Sequence, residues 1–149
     1  KPTTMKKTIL ILLTLILFSG CSKDDEKSDA VEVKYENLWG TWYFSKVIQP
    51  DGTIVPYTHL CSTQRDYITI TTLRKVILSS NNTICVNYTD YDCSSFGLTG
   101  NELYSCNSKF DGLVSLTAST FRIDYPTVRQ VGFPDNNLGQ AKGIILTKD

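Results

Sequence analysis

The sequence predicts an all-β fold: a small antiparallel up-and-down barrel of about eight strands, preceded by a signal peptide and a flexible tether. Three observations predict it. From about Tyr35 onward no stretch has the apolar periodicity of an amphipathic helix. Short runs rich in Thr, Val, Ile, Tyr and Phe alternate with turn residues, as they do in sandwiches and barrels. The connections between runs are short, which suits a meander closed on itself so that no strand edge is left open to aggregation.

The first run is TWYFSKVIQ, Thr41 to Gln49. Pro50, Asp51 and Gly52 follow, supplying the fixed and the positive φ of a tight reversal, and TIVPY returns beside the first run. DYITI and RKVILS come next, then a turn at Ser80, Asn81 and Asn82, then TICVNY, GNELYSC, LVSLT, TFRIDY and AKGIILTK. Strand alternation turns Trp42, Phe44, Ile68, Ile70, Phe121 and Ile123 inward, where they either line a ligand cavity or fill the core.

Ahead of the domain the pattern is that of an export signal. Met5, the one methionine, precedes KKTILILLTLILFSG, and translation is expected to start there. Two lysines, an apolar stretch from Ile9 to Phe18 and the small residues Ser19 and Gly20 are the three parts of a secretory signal. The apolar stretch is too short for a spanning helix, which needs roughly 20 residues. Residues 1–20 are therefore the expected signal peptide, residues 21–34 a polar, acidic, flexible tether, and residues 35–149 the folded domain.

Removing Lys1, Lys6 and Lys7 with the signal leaves 12 basic residues against 15 acidic, a net charge of −3. Such a surface gives no electrostatic reason to expect nucleic acid as a partner.

Leu17, Phe18, Ser19, Gly20 and Cys21 resemble the lipobox of bacterial lipoproteins. The resemblance implies cleavage before Cys21, a diacylglyceryl thioether on its sulfur and acylation of the new amino terminus. Each buried acyl methylene contributes roughly 0.8 kcal/mol, so several chains hold a protein durably on a membrane. Ser22 to Glu26 resemble the short acidic signal that sends lipoproteins of the Bacteroidetes to the outer cell surface. A periplasm-facing outer-membrane lipoprotein is the alternative.

LWGTWYF, Leu38 to Phe44, resembles the opening Gly-x-Trp strand of lipocalins, and more closely the lipocalin-like domains of Bacteroidetes lipoproteins. Weaker likeness continues through Cys61, Cys93, Gly97 to Ser105 and Ser115 to Asp124, covering most of Leu38 to Lys148. It implies a barrel with Trp42 plugging the closed end. Lipocalins often stack a basic residue of the last strand on that tryptophan, and here only Lys148 is on offer.

Setting Cys21 aside leaves Cys61, Cys85, Cys93 and Cys106, an even number in an exported chain, where disulfides are expected. The lipocalin-like pattern implies Cys61 with Cys93. Cys85 with Cys106 follows if TICVNY and GNELYSC form a hairpin. No close-spaced Cys pair suggests a zinc site, and no metal or cofactor is expected. His59, the one histidine, is read as a surface loop residue, and Asp90 with Asp92 as a solvated turn.

No catalytic signature stands out, so no enzyme is expected. Two functions remain. One is a membrane-tethered module, expected as a monomer, that binds a small apolar or amphipathic ligand. The other is a protein- or glycan-interaction or inhibitor module that works through its loops. Its contact candidates are Tyr88, Tyr91, Phe96 and Phe133, on Val86 to Phe96 and on the long connection Pro126 to Gln140.

Overall fold

The computed structural model describes residues 29–93, 96–105, 110–133 and 136–149, with the backbone alone at 90–93, 132–133 and 136–138. The expected signal peptide, the lipidated Cys21, the acidic stretch Ser22 to Glu26 and Cys106 lie outside the described residues. None of the described helices is long and apolar enough to cross a membrane.

Among the described residues one helical turn, α1 (Tyr35–Leu38), precedes ten strands: β1 (Gly40–Ile48), β2 (Ile54–Pro56), β3 (Tyr67–Ile70), β4 (Val76–Asn81), β5 (Asn87–Cys93), β6 (Gly97–Thr99), β7 (Glu102–Tyr104), β8 (Gly112–Leu116), β9 (Thr120–Phe133) and β10 (Asn136–Thr147). They form one curled antiparallel sheet, a half-barrel, in the order β5-β4-β3-β1-β10-β9-β8-β7-β6, with β2 also on β1. That is a meander read around a ring, interrupted between β5 and β6. Among the described residues no ladder joins those two strands.

Side chains and one backbone bond occupy the interruption. Phe96 donates its N–H to the Arg74 carbonyl at 3.1 Å, its ring lies 5.4 Å from that of Tyr35, and the Tyr35 hydroxyl accepts from Leu98 N–H at 2.9 Å. The Arg74 guanidinium covers the other partner of this cluster, 4.1 Å from the Tyr35 centroid. Phe96, expected as an exposed loop contact, is therefore buried at 4% exposure.

The core follows alternation along β1, where Trp42 and Phe44 face inward, until a bulge between Phe44 and Lys46 shifts the phase. Beyond it Val47 and Ile48 are both buried, as an extra residue in one strand allows. Trp42, Phe44, Ile68, Ile70, Phe121 and Ile123 all belong to the core cluster, each at 2% exposure or less. Gly143 lies beside a second bulge, on β9, where Tyr125 to Val128 stand against Lys142 alone, and a Cβ on it would come within 2.5 Å of the Ile123 carbonyl oxygen. Only a glycine fits that approach.

Four expectations change. The tether ends before residue 34: Ala30 bridges Thr117, Val31 donates its N–H to the Leu116 carbonyl at 2.8 Å, and Val31 and Val33 pack on the core. They cover the stretch of β8 that β7 is too short to reach. Ser80 and Asn81 are not a turn but the buried end of β4, and the reversal falls at 82–85. The long connection from Pro126 is a ribbon, β9 pairing with β10 out to Phe133↔Asn136. Asp90 and Asp92 lie in β5 rather than in a turn.

Candidate functional site

At the closed end the strap 30–39, the turn 71–75 and the turn 117–119 meet the last residues of β10. Trp42 donates its indole N–H to the Leu38 carbonyl at 2.7 Å, and its ring meets Phe121 edge-on at 5.3 Å. Lys148 covers it from outside, with Nζ 4.1 Å from the Trp42 centroid and donating to the Trp39 carbonyl at 2.9 Å. Partial burial holds the Lys148 ammonium below its ordinary range. Gly40, at φ +114°, leaves room beside the Lys148 stem, where a Cβ would lie 3.5 Å from Cε.

At the opposite end a polar cluster is built on Asp66, which is wholly buried. Its carboxylate accepts from the Tyr57 hydroxyl at 2.5 Å, from Asn81 N–H at 2.7 Å and from Asn81 Nδ2 at 3.3 Å. Its own N–H donates to His59 Nδ1 at 3.0 Å. His59 lies in a loop as expected, but it is packed rather than set on the surface, its ring 4.7 Å from that of Tyr57. With both carboxylate oxygens and Nδ1 engaged, the cluster fastens the 57–66 segment onto β4.

A disulfide joins that segment to the β4–β5 reversal, and it is Cys61 with Cys85, Cα to Cα 4.9 Å. The expected pairs, Cys61 with Cys93 and Cys85 with Cys106, are corrected. Cys93 pairs with Val76, the first residue of β4, whereas the Cys85 turn follows its last. Cys93 and Cys61 therefore sit at opposite ends of the ladder. GNELYSC does not return beside TICVNY, because β7 pairs with β6 and β8.

The disulfide steadies an exposed tip. Asn82 Oδ1 accepts from the N–H groups of Ile84 and Val86, at 3.1 and 2.9 Å, and Cys85 takes a φ of +59°. Ile84 is left 77% exposed, with Val86 and Tyr88 also exposed. The side chains of Tyr91 and Phe133 lie outside the described residues.

A groove of about 440 Å³ opens beyond the last β8–β9 pair, Leu113↔Asp124, where β9 runs on past the start of β8. Tyr104, Leu113 and Pro126 give it apolar surface; Glu102, Asp111 and Arg129 give it charge. The Tyr104 hydroxyl donates to the Glu102 carboxylate, which raises the phenol's pKa. Asp111 Oδ1 accepts from the N–H and, at 3.0 Å, the hydroxyl of Ser105. Arg129 lies 4.3 Å over the Tyr125 ring. Tyr125 is a buried residue whose hydroxyl has no hydrogen-bond partner among the described residues, and the same holds for the Ser80 hydroxyl. The sequence reading missed this groove because β7 and the extension of β9 come together only through pairing with β8.

Among the described residues no group of three or more His, Cys, Asp or Glu converges as a metal site. Comparison with known proteins returns no matching family, no matching curated protein and no matching solved structure.

Proposed function

We propose that the chain is a bacterial lipoprotein, lipidated on Cys21, that presents a lipocalin-like, non-catalytic binding module at the outer membrane. The observation that carries the binding reading is the open groove beside a filled core. Six residues that could have lined an interior cavity are packed against one another, while about 440 Å³ of mixed apolar and charged surface stands open between β7, β8 and β9. That volume falls within the range of small-ligand sites, and an apolar floor rimmed by charge suits an amphipathic molecule. The Gly-x-Trp opening and the Lys148 ammonium over Trp42 support the lipocalin-like reading. The acidic stretch after Cys21 supports display on the cell surface.

Native mass spectrometry of the protein extracted from its membrane tests this reading. A co-purifying small molecule that is lost in Tyr104→Ala and Leu113→Ala variants is expected. A molecule retained by both variants would place binding elsewhere. Retention of Cys21→Ser on the membrane of the native host would end the lipoprotein reading. A second reading, a protein-interaction module, is favoured by one feature: the disulfide-held tip that exposes Ile84. Loss of a co-purifying protein on Ile84→Asp would select it.

A further inference from the structure

We infer that the closed end of the barrel is the face that rests on a lipid surface, so that the groove and the Ile84 tip point away from the membrane. The inference rests on the lipidation of Cys21 proposed above.

Tether geometry is the first support. The described chain begins at Asp29, next to Ala30, which bridges Thr117 in the turn between β8 and β9. Eight residue steps separate Cys21 from Asp29, and an extended chain spans at most about 3.6 Å per residue, or about 29 Å here. A nine-residue strand such as β1 is itself about 30 Å long. A leash about as long as one strand, attached at one end, favours that end facing the lipid.

The surface of that end is the second. Gly40 pairs with Ile70, which sets Trp39 beside the turn carrying Leu73. Trp39 is 36% exposed and Leu73 73% exposed. Arg74 and Lys75 follow Leu73 directly, and Lys148 bonds to the Trp39 carbonyl. An indole, an aliphatic side chain and long cationic side chains together are what settles at headgroup depth, rings and stems in the acyl boundary and charges in water. Asp24, Asp25 and Glu26 in the tether oppose attraction to anionic lipid, so the surface this end fits is zwitterionic.

The test uses the full chain processed in a lipoprotein-exporting host and reconstituted in phosphatidylcholine nanodiscs carrying a gadolinium-chelating headgroup. Amide relaxation enhancement is read at residues 71–75 and 118–119, and at the opposite end at Gly52 and residues 83–86. Several-fold stronger enhancement at the first set is expected, and a double variant Trp39→Ser, Leu73→Ser should weaken it to what the tether alone supplies while near-UV circular dichroism shows Trp42 still packed. Equal enhancement in the unaltered protein, a stronger effect at Gly52 and residues 83–86, or a gradient untouched by the double variant overturns the inference. Intact mass separates this from its premise: an unlipidated Cys21 sinks the lipoprotein reading and the inference with it, whereas a lipidated chain with no gradient sinks the inference alone.

Discussion

Lys148 closes the barrel end onto Trp42: its ammonium lies 4.1 Å from the centre of the indole while bonding to the carbonyl of Trp39, 109 residues away in sequence. A cation over a tryptophan face and a charge-assisted hydrogen bond act together here, each modest because the head is partly in water. Lys148→Met keeps the stem and removes both. Urea denaturation should show a loss of about 1 to 2 kcal/mol, with Lys148→Arg much closer to the parent protein.

Reduction of Cys61–Cys85 should destabilise the domain. The bridge spans 24 residues, and loop entropy gives it about 3.5 kcal/mol of stabilisation. Cys61→Ser and Cys85→Ser should each reproduce the loss. Peptide mapping without reductant should recover the Cys61 and Cys85 peptides joined.

Asp66 cannot lose a donor cheaply, because a wholly buried carboxylate depends on every bond that it accepts. Tyr57→Phe removes the 2.5 Å hydroxyl donor. A loss of about 1.5 to 3 kcal/mol is expected for a hydrogen bond to a charged group, measured by thermal or denaturant unfolding.

Tyr125 should behave in the opposite way. Its hydroxyl is buried without a partner among the described residues, and such groups cost about 1 to 3 kcal/mol. Tyr125→Phe should therefore be at least as stable as the parent. Burial raises the phenol's pKa above its ordinary value of 10.0, so the folded state favours the neutral form. That contribution is complete below pH 10 and lost as the pH climbs past it. Stability measured between pH 8 and 11 should fall more steeply in the parent than in Tyr125→Phe.

Gly143→Ala places a methyl group against the Ile123 carbonyl oxygen, where 2.5 Å would separate them. Strand β10 must shift away from β9, and overpacking of this kind costs about 1 to 3 kcal/mol. The midpoint of urea denaturation should move down accordingly.

Strand content and the inward set Trp42, Phe44, Ile68, Ile70, Phe121 and Ile123 are legible in the sequence, because a two-residue period ties each side chain to a face. Where that period breaks, the reading fails for a physical cause. Val47 and Ile48 are buried consecutively only because β1 bulges against β10. Ser80 and Asn81 look like turn residues, yet Asp66, 15 positions away, supplies the bonds that hold Asn81 within a strand end. Pro126 and Gly139 look like ends of strands, yet each falls at an irregularity inside the β9–β10 ribbon. The cysteine partners depend on which ladder end each residue occupies, and spacing carries no such information. The groove fails for the same reason: Tyr104 and Pro126 come together through β8, not through any local pattern.

The order of strands around the ring has a kinetic side. Among the described residues every ladder except one joins strands close in sequence; the exception is β1 with β10, where Tyr43 meets Thr147. The molecule is in effect two meanders, β1 to β5 and β6 to β10, joined along one long-range ladder, with the strap from Ala30 and the Tyr35–Phe96 contact closing the other side. Each can gather through cheap local loop closures, and the large entropic step falls on the β1–β10 encounter. A circular permutant with β10 linked directly to β1 and new ends between β5 and β6 would turn that slow encounter into one more hairpin.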